Sequence, residues 1–188
     1  METMEILANE HGLIRQFLDN LTLVGQKLEE GTYPSRACLE KGIEFARLFA
    51  DKFHHFKEEQ VLFVRLAQKK KGEIDSRLEV LRHEHDRGRA LVGEIEACLD
   101  GFETRDPVII SRLIEKVGAY TALLRHHIHT EDHVFFPMAK SALTADEMEL
   151  IMIEFNKERE KRGGDTFEKC HKLVVDMGSI LTHLQPRR

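Results

Sequence analysis

The chain is poor in proline (four residues) and cysteine (three), has no surplus of basic charge, and contains no long apolar run in its 188 residues. A membrane-crossing helix needs about 18 or more consecutive apolar residues, so no span is expected. The opening Met1-Glu2-Thr3-Met4-Glu5-Ile6 is acidic and lacks the apolar centre of a secretory signal. Cys38, Cys98 and Cys170 are odd in number, widely spaced and without a C-x-x-C pair. That usage argues against a disulfide framework and for reduced thiols in a cytoplasmic protein. Lys and Arg total 28 against 33 Asp and Glu, a formal charge of −5, so nucleic acid is not an expected partner. Lys69-Lys70-Lys71 and Arg187-Arg188 read as solvated runs at helix ends.

Strand-type alternation is also missing, and the few prolines fall where helices should start or stop. The spacing predicts a first helix over about 3–29, with Leu7, His11, Ile14, Leu18 and Leu21 in one stripe. Gly31-Thr32-Tyr33-Pro34 breaks it, with Pro34 suited to the first turn of a second helix reaching about Lys70. A third helix, about 74–99, carries Leu78, Leu81, His85, Gly88, Val92, Ile95 and Leu99, with Gly101 as its C-terminal cap. Asp106-Pro107 opens a fourth, whose stripe is Leu113, Val117, Tyr120, Leu124, His127, Glu131 and Val134. Thr144-Ala145-Asp146-Glu147 fits a capping box for a short fifth helix. Gly163-Gly164 ends it, and Asp165 can cap a last helix to about Leu184. The expectation is an all-α, up-down-up-down four-helix bundle over 1–142, with 143–188 a helical extension packed on it.

What the chain does have is a repeat. His54-His55-Phe56-Lys57-Glu58-Glu59-Gln60-Val61-Leu62-Phe63 is echoed by His127-Ile128-His129-Thr130-Glu131-Asp132-His133-Val134-Phe135-Phe136. In each, a His precedes a Glu by four residues and a Phe follows that Glu by five. Residues four apart share a helix face, so each stretch aims an imidazole and a carboxylate at one point. Asn9-Glu10-His11 and His83-Glu84-His85 occupy matching places ahead of each stretch. A single core histidine needs only a hydrogen-bond partner. His11, His54, His85 and His127 with Glu58 and Glu131, on four facing helices, point instead to a metal site, most naturally a dinuclear one bridged by the two carboxylates. No cysteine lies nearby, so the donors suit iron or manganese and tolerate zinc.

His55 also has a Glu four residues on, Glu59. The distance to the Phe selects His54 with Glu58, leaving His55 as a further ligand or a supporting donor. His83, His126, His129 and His133 read as surface or supporting groups, and His171 as either surface or a cap near the site. Phe53, Phe56, Phe63, Phe135 and Phe136 read as core packing.

These motifs resemble the hemerythrin-like family, whose HHE cation-binding domains carry a His, then His-x-x-x-Glu, and the same again. The resemblance covers about residues 5–140. It implies a non-haem site of two iron ions in a four-helix bundle, with His11, His54, Glu58, His85, His127 and Glu131 as ligands. Two departures stand out. Phe63-Val64 occupies the place where Phe-Pro is common, as in Phe136-Pro137, which should affect a helix bend. Arg89 stands four after His85, where the invertebrate oxygen carriers have a second His, leaving one ion with a vacant or different ligand.

Three functions fit the residues. The first is a di-iron protein that binds, senses or scavenges dioxygen or nitric oxide. The second is an enzyme acting on peroxide or nitric oxide, or an iron donor for iron-sulfur repair, with Glu59, Tyr120 or His55 moving protons. The third is a helical interaction module holding zinc or no metal. The oligomeric state, a homodimer included, is open at this level.

Overall fold

Among the described residues, 3–69 and 72–184, of this computed structural model the elements are all helical and no strand occurs. Helix α1 spans Thr3–Glu29 and buries the whole expected stripe. Gly31, at φ 71°, turns the chain out. Ser35 then caps α2 (Arg36–Phe45), its hydroxyl accepting from the Cys38 N–H. Pro34 therefore stands just before the cap, not inside the first turn.

Beyond Phe45 the winding loosens. Ala46–His55 (π1) and Glu58–Leu62 (π2) are π-helical, and Phe63–Ala67 (α3) returns to α geometry. Of the lysine run, Lys70 and Lys71 lie outside the described residues, as do Arg187 and Arg188. Lys69 is not simply solvated, because its ammonium forks the Glu147 carboxylate at 2.6 and 2.7 Å. Helix α4 covers Gly72–Glu96 and α5 covers Leu99–Glu103.

Gly101 lies inside α5 and caps nothing. The left-handed residue at the exit is Arg105, at φ 55°. Glycine at 101 serves close packing, since a Cβ there would sit 2.7 Å from Ile109 Cγ1 and 3.2 Å from Ile109 Cβ. Gly101→Ala should cost about 1–3 kcal/mol through overpacking, despite the better helix propensity of alanine. Thermal unfolding checks this, and an unchanged or raised Tm would contradict it.

Asp106 caps α6 (Pro107–Thr130), accepting from the Val108 N–H at 2.9 Å. A third π turn, Glu131–Phe135 (π3), leads into α7 (Phe136–Ala142). The capping box of Thr144 and Glu147 is present on α8 (Ala145–Lys161), which runs between the expected start and stop. Gly163 and Gly164, at φ 95° and 79°, end it. Asp165 makes no capping bond to α9 (Thr166–Thr182) and pairs with Lys169 at 2.9 Å instead.

Lys69 first, then the Thr144 N–H, hold the Glu147 carboxyl at about 2, below its usual 4.5. A depressed pKa stabilises the fold above the unfolded value, and that contribution disappears as pH falls from 4.5 through 2. An NMR titration should therefore place the Glu147 midpoint near 2, with α8 contacts loosening together with it. A midpoint near 4.5 would show that the pairing does not hold in solution.

Contacts between neighbouring helices pair rising numbers with falling ones. Glu10 meets His54 while Phe17 meets Phe45. Arg47 meets Glu96 while Glu59 meets His85. Glu84 meets His127 while Glu94 meets Lys116. Asp19 meets Arg125 while His11 meets Asp132. Neighbours thus run antiparallel around a closed ring of four. Helices α8 and α9 lie against this ring, where Thr3 donates to the Met148 carbonyl at 3.0 Å and Asn20 to the Val174 carbonyl at 2.8 Å.

The apolar core is in two parts. One is built on Phe17, Phe45, Phe49 and Leu124 and extends to Val174 and Met177. The other is built on Leu62, Phe63, Phe135 and Phe155. Between Leu7 and Ile14, and again between Leu81 and Leu91, the chain crosses from one part to the other. His11 and His85 sit at those crossings, so a polar layer is laid across the middle of the bundle.

Candidate metal centre

Local winding aims the donors. The Phe63 N–H bonds to the Glu58 carbonyl and the Phe136 N–H to the Glu131 carbonyl, each five residues back. The Glu-to-Phe spacing shared by the two repeats is thus the closing bond of a π turn, a winding that recurs at functional sites. Both π turns close with the same bond, whether Val64 or Pro137 follows. The wider turn also shifts the phase downstream: Phe135 and Phe136 are buried, and Val134 is 41% exposed, against the expected stripe. The Phe56 N–H likewise reaches back five residues to the Asp51 carbonyl. In this loosened stretch His54 and His55 are both buried, where an ideal α-helix would turn them about 100° apart.

Each expected donor lies in the buried layer. Glu58 Oε1 is 3.5 Å from His54 Nε2, and its Oε2 is 3.4 Å from His85 Nε2. Glu131 Oε2 is 3.2 Å from both His11 Nε2 and His127 Nε2. Either carboxylate therefore stands between two histidines of different helices. The donors fall into two groups, each with its atoms within 4.8 Å of one another: His11, His54, Glu58 and Glu131, and His55, Glu58, His85 and His127. Glu58 belongs to both. His55, left open by spacing, stacks on His85 with centroids 3.8 Å apart. Arg89 turns away to Asp51, Asp86 and Glu59, and it is His55, from helix two, that supplies the further imidazole beside His85 and His127.

Four carboxylates hold four of these rings from behind. His54 Nδ1 meets Glu10 at 3.0 Å, His85 Nδ1 meets Glu59 at 2.7 Å, His127 Nδ1 meets Glu84 at 2.8 Å and His11 Nδ1 meets Asp132 at 2.8 Å. Such a bond places the proton on Nδ1 and leaves Nε2 as a donor to the centre. The supports form a cycle, in which each of the four helices carries one carboxylate for the histidine of the next. Three are braced in turn: Glu10 by Lys57, Glu59 by Arg89 and Asp132 by Arg15. Spacing did not reveal these supports, yet a signal existed. Glu10 and Glu84 each directly precede a ligand-position His, and Glu59 and Asp132 each directly follow a ligand-position Glu.

Electrostatics leave the centre strongly polar. Burial opposes protonation of His11 and His85, but Asp132 and Glu131 on one, and Glu58 and Glu59 on the other, raise both to about 9. Burial and the neighbouring His85 and His54 push His55 well below its usual value. Glu58 is held far below the usual carboxylate range, because His54 and His85 outweigh its burial. Even so, eight buried atoms lack a hydrogen bond: His11 Nε2, His54 Nε2, both nitrogens of His55, and both oxygens of Glu58 and of Glu131. All eight belong to the two donor groups, and a cation is what would satisfy them together.

The histidines set aside by spacing stay outside: His83, His126, His129, His133 and His171 are exposed. Glu59, considered for proton transfer, is engaged by His85 and Arg89. Phe63 and Phe136 flank the layer, stacked 6.0 Å from His85 and 5.4 Å from His11. No helix among the described residues is long and apolar enough to cross a membrane.

Residues 3–139 match the family described as the hemerythrin HHE cation binding domain. Among curated proteins, the chain is 27% identical over 178 residues to the uncharacterized proteins Rv1995 of Mycobacterium tuberculosis (strain H37Rv) and Mb2018 of Mycobacterium bovis. These alignments cover 94% of this chain and 69% of each relative. No solved structure matches. With almost three-quarters of its length matched and the paired His and Glu donors gathered in one buried layer, the chain belongs to the hemerythrin HHE cation-binding domain family.

Proposed function

We propose that this is a cytoplasmic, non-haem di-iron protein that binds, senses or scavenges dioxygen or nitric oxide. His11, His54 and Glu131 would hold one ion and His55, His85 and His127 the other, with Glu58 shared and Glu131 also beside His127. The observation that carries the reading is the set of eight orphaned, buried nitrogen and oxygen atoms, which converge from four helices. Iron in such a site supplies redox-active positions open to a small ligand. The chain fixes the four Nδ1-bonded imidazoles through Glu10, Glu59, Glu84 and Asp132, and its Phe63 and Phe136 rings keep water out. Three free, buried cysteines suit a reducing compartment. Imidazole and carboxylate donors without thiolate also accept manganese or zinc, so the metal is read in the same experiment as the ligand. Protein purified from iron-supplemented cells should contain iron, and after reduction its visible spectrum should change on exposure to dioxygen or nitric oxide. The His54→Ala/His127→Ala double variant should show neither. A loaded protein whose spectrum ignores both gases would refute the ligand reading.

A further inference from the structure

Helices one and three carry a second repeat, which complements the His-to-Glu pairs of helices two and four. His11 is followed four residues later by Arg15, and His85 four residues later by Arg89. That spacing puts both members of each pair on one face of their helix. The two copies make the same chain of contacts. His85 Nδ1 donates to Glu59 Oε1 at 2.7 Å, and the same oxygen accepts from the Arg89 guanidinium at 2.6 Å. His11 Nδ1 donates to Asp132 Oδ1 at 2.8 Å, and Oδ2 accepts from the Arg15 guanidinium. Glu59 and Asp132 are matched as well, since each directly follows the Glu of its own His-x-x-x-Glu pair. Both chains run from a sealed imidazole to a carboxylate 17% or 16% exposed, and end on a guanidinium 35% or 43% exposed. Arg89 is therefore the counterpart of Arg15. The buried cation behind Glu10 has no such counterpart, because Thr130 stands where helix four would repeat Lys57.

An ion pair this exposed contributes little to stability, so the fold alone gives no reason to build it twice. A ligand imidazole, by contrast, is held only as firmly as the group behind it. Glu59 and Asp132 reach the edge of the solvent, where an unbraced carboxylate is free to turn toward water. A planar guanidinium fixes such a carboxylate with directed N–H bonds. Arg89 uses a further N–H on Asp51 of π1 at 2.7 Å, which ties α4 to the helix that carries His55 and Glu58. From the repeated chain of imidazole, carboxylate and guanidinium, we infer that Arg15 and Arg89 are positioning residues of the metal centre. Each locks the imidazole four residues before it, Arg15 through Asp132 and Arg89 through Glu59, so that one histidine in each donor group is fixed from the surface. The inference deepens the proposed function and rests on its metal reading.

Arg15→Met and Arg89→Met test this with two readouts. In metal-free, full-length protein, NMR follows the exchange of the Nδ1 protons of His11 and His85 with water. Arg89→Met should strip the His85 proton of its protection and spare that of His11, and Arg15→Met should do the reverse. In the second readout, ferrous iron is titrated anaerobically against a competing chelator. Each variant should bind iron about 10–100-fold more weakly than wild type, with its denaturant midpoint close to wild type. If a methionine variant does not fold, glutamine at the same position, which keeps a polar side chain but no charge, is read in the same way. Ring protons as protected as in wild type, both rings loosened alike by either substitution, or iron affinity equal to wild type would overturn the inference and leave the metal reading intact. A wild-type protein that takes up no iron would overturn the metal reading, and the ring protons would still decide whether each arginine holds its own histidine.

Discussion

Glu58→Ala should leave the protein folded but nearly free of tightly held metal, whereas His129→Ala should load like wild type. Glu58 is the one residue common to both donor groups, placing one oxygen beside His54 and the other beside His85. Removing it would take a donor from each ion of the proposed pair at once, and with it the negative charge that His11, His54 and His85 surround. Glu131→Ala should cost less, because Glu131 belongs by distance to one group and touches the second only through His127. His129 is exposed and stacks on His133 away from the layer. Elemental analysis of the three variants after identical anaerobic loading gives the ranking. Equal metal in Glu58→Ala and wild type would mean that the shared carboxylate is not a ligand.

The second large effect belongs to Lys57, which stands outside the donor set. Its side chain is 2% exposed, its ammonium lies 3.6 Å over the Phe53 ring and 5.8 Å from Phe155 of α8, and it pairs with Glu10. Burial lowers its pKa, with Glu10 acting in the opposite direction. Lys57→Met should destabilise the protein by about 3–5 kcal/mol, because it leaves the buried Glu10 carboxylate short of its partner. Adding Glu10→Gln should restore part of that loss, since a neutral amide no longer needs the cation. Denaturant unfolding of the two single variants and the double closes the cycle. Additive losses would show that Lys57 and Glu10 do not work as a pair. The same substitution should weaken metal binding about 10–100-fold, as expected when the group behind a ligand imidazole is disturbed. We propose on this ground that 143–188, which contribute Phe155, are an extension that seals the helix-two side of a bundle formed by 1–142.

How far the sequence could be read depended on which regularity each feature obeys. The α-helical stripes were legible because a period of 3.6 repeats over many turns: Leu7 to Leu21 and Leu78 to Leu99 are buried as expected. That His11, His54, Glu58, His85, His127 and Glu131 would come together in one buried layer was legible because two copies of one pattern supported each other. Where the winding departs from 3.6, the reading failed. Val134 was expected inward and is exposed, and His55 was left open, because π turns add a residue to the helix at those points. The repeat carried the clue in its Glu-to-Phe interval of five, which is a hydrogen-bond length and not a side-chain match. Gly101 was misread for another reason: glycine near a helix end usually signals a left-handed cap, whereas here it makes room for Ile109, a contact between distant segments. The supporting ring of Glu10, Glu59, Glu84 and Asp132 was invisible to periodicity, since it consists wholly of contacts from one helix to the next.

The most direct test of the account is the metal stoichiometry of the purified protein, by elemental analysis after anaerobic reconstitution with ferrous iron and removal of loosely bound ions. The account predicts two ions per chain, falling to nearly none in Glu58→Ala. One ion or none in a protein whose circular dichroism shows the intact helical fold would contradict it.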